Sequence, residues 1–186
     1  MTFDSSLAPT SSSALTDLSL PVGEQFLRFQ LGRDTAALLP ISQLTEVLTI
    51  PIGQITPVPQ LPGWVMGVYN WRGEVLWMVD LAHLSGLIPW HQQAINVLTY
   101  TAIVLSVRTG TATHADDQMV GLVVNRAETI EWCDPNALQP LSPDVANLQL
   151  MTFLRGYQFK SNGKRLAVFD DEVIVEAISR SKLQPS

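Results

Sequence analysis

Three features of the sequence predict a mainly β domain of barrel or sandwich type. Short apolar runs alternate residue by residue with polar ones, and reverse-turn residues separate those runs at close intervals. Long amphipathic helices do not alternate with the strands, as a parallel sheet would require.

Met1 to Leu20 is rich in Ser, Thr and Leu without sustained periodicity, so residues 1–22 are expected to be a flexible tail ahead of one folded domain over residues 23–183. Leu27, Phe29 and Leu31 then alternate with Arg28 and Gln30, the pattern of a half-buried strand. Gly32-Arg33-Asp34 turns the chain, and Ala36 to Leu39 reads as the return strand. Pro40 is suited to open a short helix with Ile41, Leu44 and Leu48 on one face and Glu46 pointing elsewhere. Pro51, Pro57, Pro59 and Pro62 remove four backbone donors, so the stretch to Gly63 is an extended connection. Val65 to Tyr69 and Glu74 to Val79 form a hairpin about Asn70-Trp71-Arg72-Gly73, whose Asn and Gly suit a type I turn.

Asp80 resembles a helix cap, with Leu81 and Leu84 buried, His83 facing solvent and Gly86 the stop. Val97 to Val107 and Met119 to Val124 are strongly β-forming, and the polar stretch from Arg108 to Gln118 reads as a surface loop. Phe153 to Phe159 and Arg165 to Phe169 pair about Ser161-Asn162-Gly163. Asp170 or Asp171 caps a last helix reaching about Leu183, with Val173, Ile174, Ala177 and Ile178 on its apolar face.

The composition, 46% hydrophobic and 15% charged, supports a substantial core. A net charge of −6 disfavours nucleic-acid backbones and anionic lipid surfaces, and no apolar run approaches a membrane span, so direct membrane insertion is not expected. One cysteine, Cys133, cannot form an internal disulfide, which fits a cytoplasmic location. No basic residue or histidine stands near it in the sequence to activate the thiol. His83, His91 and His114 lack metal-ligand spacing, and no glycine-rich phosphate loop links a strand to a helix. Neither catalysis nor a cofactor is expected. A small barrel binding nucleic acid is the main alternative from composition, but it would need a basic groove with stacking aromatics.

The block from Glu46 to Leu81 carries a resemblance. Glu46-Val47-Leu48 leads through the prolines to Gly67-Val68-Tyr69-Asn70-Trp71-Arg72-Gly73, and a strand then ends in Val79-Asp80-Leu81. These motifs, in this order, resemble those of the CheW family of chemotaxis coupling proteins. Phe26 to Phe29 with Leu38 to Ile41 is similar to that family's opening hairpin, and Val120 to Val124 to its second β element. Trp71 stands where the family usually has Leu, and Asn125 where many members have Asp. The resemblance spans about Gln25 to Ile178 and implies two small five-stranded, SH3-like barrels packed together, with a terminal helix. It also implies a non-catalytic adaptor joining the cytoplasmic tip of a methyl-accepting chemoreceptor to the regulatory domain of a CheA-type histidine kinase, in flagellar or pilus-based motility. A divergent member that binds the kinase without a receptor is a variant of the same reading. By this resemblance Glu46 and Arg72 match the family's paired acidic and arginine positions near the receptor groove, with Val47, Met66 and Val75 beside them. Asn70 and Trp71 complete the expected binding surface at the hairpin tip.

Overall fold

The computed structural model describes residues 23–93, 98–109, 116–141 and 147–181. They build two five-stranded sheets. Strands β1 (Glu24–Leu31), β2 (Thr35–Pro40), β8 (Arg126–Cys133), β9 (Leu154–Phe159) and β10 (Arg165–Phe169) form the first, in the order β8-β1-β2-β10-β9. Strands β3 (Leu44–Pro51), β4 (Val65–Trp71), β5 (Glu74–Asp80), β6 (Thr99–Thr109) and β7 (Asp116–Val124) form the second, in the order β3-β6-β7-β5-β4. The short helices are α1 (Leu81–Leu84) and α2 (Leu148–Met151), and α3 (Asp171–Arg180) follows β10.

The two sheets are connected alike. From first edge to last, neighbouring strands run antiparallel, antiparallel, parallel and antiparallel in both. Each closes through a bridge from the stretch beyond its first edge strand to its last. Thr56 pairs with Val68 of β4, and Gln139 with Tyr157 of β9. A glycine adjoins each closure. A Cβ on Gly67 would fall 2.2 Å from the Thr56 carbonyl oxygen, and one on Gly156 would fall 2.7 Å from that of Gln139. The two-barrel expectation therefore holds, and the second barrel is inserted into the first. The first barrel takes β1 and β2 from before the insertion and β8 to β10 from after it.

Alternation along the strands supplies the packing. Phe26, Leu38, Leu166, Val168 and Cys133 fill the first barrel. Ile50, Leu76, Met78, Ala102, Val104 and Val123 fill the second. The opposite strand faces meet between the barrels, where Phe29, Leu39 and Phe169 join Val79, Ile103, Leu105 and Leu122 in one buried cluster, and Ile174 and Ile178 of α3 complete it. Asp80 caps α1, accepting from the His83 amide at 3.1 Å and from the Trp90 amide at 2.6 Å. Asp170 caps α3 by accepting from the amides of Glu172 and Val173.

Several sequence expectations are corrected. The helix expected over Ile41 to Leu48 does not form, because Leu44–Pro51 is strand β3 paired with β6. Thr45, Val47, Thr49 and Ile50 are β-branched, and Pro40 ends β2 instead of opening a helix. The hairpin turn is tighter than read. Trp71 pairs with Glu74, leaving Arg72 and Gly73 as the two central residues, with φ of 55° and 88°. Positive φ at both is the mark of a type I′ turn, whose twist matches that of the flanking strands. Strands β6 and β7 extend beyond the expected ends, pairing Arg108 with Asp117. Strand β8 and helix α2 were not anticipated. His83 is half-buried rather than solvent-facing, because its ring packs under Gly63 and its Nδ1 is enclosed. The expected tail 1–22, the centre of the 108–118 loop and the end of the last helix lie outside the described residues.

Candidate functional site

The β4–β5 hairpin meets strand β3 at one end of the second barrel, and Glu46 joins them. Glu46 lies on β3, on the strand face that also carries Leu48 and Ile50. Its Oε1 accepts a hydrogen bond from the Trp71 indole Nε1 at 2.6 Å. The Arg72 guanidinium lies 3.1 Å from Oε1 and 3.2 Å from Oε2. It also sits 4.8 Å from the centre of the Trp71 ring, in cation–π range. One carboxylate thus holds two consecutive residues of the hairpin and ties together the two edge strands of the second sheet. Asn70 braces the turn from within, its Oδ1 accepting from the Gly73 amide at 3.0 Å.

Exposure divides these residues. The Arg72 side chain is 68% exposed and that of Glu46 27%, so the pair presents charge outward while its carboxylate end is partly sheltered. Trp71 and Met66 are half-buried against the cluster filling the second barrel. Val75 lies opposite Asn70 in the β4–β5 register and is 60% exposed. Val47 pairs with Ile103 and is 41% exposed, but alternation points it to the face of β3 opposite Glu46. The structure therefore joins Glu46, Trp71 and Arg72 by direct contacts, sets Asn70 and Val75 alongside, and holds Met66 beneath. Val47 is adjacent along the chain but faces elsewhere. The family resemblance singles out these residues as an expected binding surface. It could not show the Trp71–Glu46 bond, because nothing in the sequence reveals which edge strands meet when a sheet closes.

A second seam of the same kind was missed. In the first barrel Glu131 of β8 pairs with Lys160, which follows β9, and accepts from Arg28 at 3.0 Å. Arg28 also meets Glu128 at 2.7 Å. Burial alone would raise the Glu131 pKa, but the bonds from Lys160 and Arg28 outweigh it and hold the carboxyl below its ordinary range. Elsewhere burial pushes the Cys133 thiol up, as befits an unreactive packing residue. Burial, reinforced by the Asp80 charge, raises the Tyr100 phenol. No group of His, Cys, Asp or Glu among the described residues is placed to hold a metal ion. No helix there is long and apolar enough to cross a membrane.

The protein is thus a pair of small closed barrels sharing one buried cluster, with a polar latch at the seam of each. Comparison with known proteins gives its family. The family model described as a CheW-like domain matches residues 25–179, and the chain belongs to the CheW family. The chemotaxis protein CheW of Rhizobium meliloti (strain 1021) is 32% identical over 101 residues, 54% of this chain and 57% of that protein. The chemotaxis protein CheW of Helicobacter pylori (strain ATCC 700392 / 26695) is 40% identical over 63 residues, 34% of this chain and 36% of that protein. The alignments thus span little more than half the length of the first relative and about a third of the second. The crystal structure of scaffolding protein TtCheW from Thermoanaerobacter tengcongensis superposes with a TM-score of 0.64 at 19% identity, covering 87% of this chain and 98% of that one, and so shares its fold.

Proposed function

We propose that this chain is a non-catalytic cytoplasmic adaptor. It couples the tip of a methyl-accepting chemoreceptor to a CheA-type histidine kinase, in a chemotaxis or pilus-motility pathway. The observation that carries this reading is the family match across most of the chain, together with a charged, outward-facing hairpin tip at the positions the family pattern singles out. The latch suits docking physically. Its Glu46 end is fixed by two donors, so Arg72 and the rim around it are presented with little conformational freedom to lose on binding. An amphipathic receptor helix could lay apolar residues along Val75 and the Trp71 ring while polar groups meet Arg72.

The test is co-purification of the full chain with the chemoreceptors and CheA-like kinases of its source organism. Both partners should be retained by the native protein. An Arg72→Ala variant that remains folded should lose receptor affinity about tenfold or more, as expected for a residue at the centre of an interface. Retention of neither partner by the native protein would overturn the adaptor reading. Unchanged receptor binding in the folded variant would reduce the latch to a structural brace.

A further inference from the structure

Lys160 and Lys164 close the tip of the β9–β10 hairpin, the Lys160 amide donating to the Lys164 carbonyl at 2.9 Å. Ser161, Asn162 and Gly163 are the loop between them. The Gly163 amide donates back to the Lys160 carbonyl at 2.9 Å, and Gly163 takes a left-handed φ of 77°. A turn followed by a left-handed glycine is a common three-residue hairpin loop. Every residue from Ser161 to Arg165 is exposed. Asn162 is also the only asparagine in the chain that glycine follows.

The Asn162 carboxamide is held inside this loop. Its Oδ1 accepts from the Lys164 amide at 3.0 Å, a side-chain mimic of a backbone turn. The ring closed by that bond runs through the Gly163 backbone, so it folds Cγ of Asn162 back toward the Gly163 nitrogen. An electrophilic carbon and a nitrogen are thereby kept as neighbours. The oxygen that would gather charge during attack at Cγ already has a donor. Gly163 has no side chain to shield its nitrogen, and a Cβ built there would meet nothing within 4 Å. One contact opposes the attack, the bond from the Gly163 amide to Lys160. It is a single turn bond at an exposed tip, of the kind that opens locally without unfolding the barrel.

We propose that Asn162-Gly163 is a self-modification site, where Asn162 deamidates and adds a carboxylate beside the latch of the first barrel. Hydroxide takes the Gly163 amide proton, and the nitrogen forms a bond to Cγ of Asn162. The carboxamide C–N bond breaks, and its nitrogen leaves as ammonia with a proton from water. A five-membered succinimide remains, and water opens it at either carbonyl. One opening gives aspartate at this position. The other gives isoaspartate, whose backbone runs through the former side chain and is one carbon longer. In total one water is consumed and one ammonia released, with no oxidation or reduction. Either product places a negative charge near Lys160, whose ammonium pairs with Glu131 across the seam. The longer isoaspartyl backbone also pulls the Lys164 carbonyl from the Lys160 amide. The latch therefore loosens as the protein ages.

The test is peptide mapping of the full chain after incubation in oxygen-18 water, at neutral and at mildly alkaline pH. The Asn162 peptide should gain three mass units, one from the exchange of nitrogen for oxygen and two from the heavy isotope. Conversion during digestion in ordinary water would add only one. Asn162 should convert about tenfold or more faster than Asn136, which is exposed but followed by Ala. The rate should rise with pH, because the attacking nitrogen is the deprotonated amide. Asn162→Gln and Gly163→Ala should each suppress conversion at this position, with circular dichroism showing that both variants keep the fold. The aged native protein should melt below the fresh one, while the melting temperature of Asn162→Gln stays constant on ageing. Conversion of Asn162 no faster than that of Asn136, or without heavy oxygen, overturns the proposal. Equal melting of aged and fresh native protein, after conversion is complete, overturns the loosening of the latch. No partner enters the experiment, so its failure is separate from failure of the adaptor reading.

Discussion

Arg72 holds a left-handed backbone, φ 55°, that costs a residue with a β-carbon roughly 1–2 kcal/mol. Strain of this kind persists where surrounding contacts over-determine it, and Glu46 with the Trp71 ring does so here. The consequence is an ordering of variants. Arg72→Ala keeps the strain and loses the ion pair, so urea denaturation should show a loss of about 1 kcal/mol for this largely exposed partner. Arg72→Asn suits the turn and should cost less. Glu46→Ala removes the acceptor of a half-buried indole N–H and should cost about 1–2 kcal/mol, more than Arg72→Ala. An Arg72→Asn protein less stable than Arg72→Ala would contradict the turn assignment. Glu131 supplies a pH signature. Its folded pKa lies below the ordinary glutamate value of 4.5, so the carboxylate binds protons more weakly folded than unfolded. The stability it contributes is fully present above pH 4.5 and is lost as pH falls through the lower folded pKa. Glu131→Gln should therefore be less stable near neutrality and show a shallower decline on the acid limb. Parallel acid limbs for the two proteins would show that the Lys160–Arg28 pairing is not felt.

At the scale of elements, the same residues explain what could and could not be read from the sequence. The hairpins β4–β5 and β9–β10, the strands β1 and β2, the capped α1 and the amphipathic α3 all obey alternation, turn or capping rules, and the sequence displayed them. Strands β3 and β8 did not stand out, for a shared reason. Each turns a glutamate toward the barrel side, Glu46 in β3 and Glu131 in β8, and in β8 a register shift against β1 also breaks strict alternation. With Glu46 discounted, Ile41, Leu44 and Leu48 mimic a helical face. The pattern fails where a charged side chain serves the seam instead of the solvent. The closures are the most fragile part of this design. Gly67→Ala would set a Cβ against the Thr56 carbonyl at a φ of 139°, and should cost about 3 kcal/mol or abolish folding. Gly63→Ala meets only the His83 ring at 3.0 Å and should be milder in the same thermal-melt series. Equal melting points for Gly67→Ala and the native protein would mean that the barrel closes some other way.

For the whole molecule, the deciding feature is the cluster that runs between the barrels. Leu39, Phe169, Ile103, Leu122 and Ile174 belong to one buried group, so neither barrel has an interface it could part from cheaply. Calorimetry should show one two-state transition. Ile174→Ala, at a site with 0% exposure, should lower stability by about 2–5 kcal/mol without splitting it. Two resolved transitions would show that the barrels melt independently. Removal of Met1 to Leu20 is expected to leave the melting temperature nearly unchanged, as the tail reading implies. The two-barrel plan itself was legible only through family resemblance. Strand pattern alone left barrel and sandwich open, because the outer partners of β1 and β2, strands β8 and β10, lie roughly a hundred residues or more downstream. That separation has a consequence during synthesis. As the chain leaves the ribosome, β1 and β2 emerge first, while β8 and β10, which flank them in the finished sheet, are still untranslated. The second barrel, β3 to β7, has all its strands and can close in the meantime. The opening hairpin must therefore wait with Phe26, Phe29 and Leu38 uncovered, and the newborn chain is most vulnerable to aggregation in that interval.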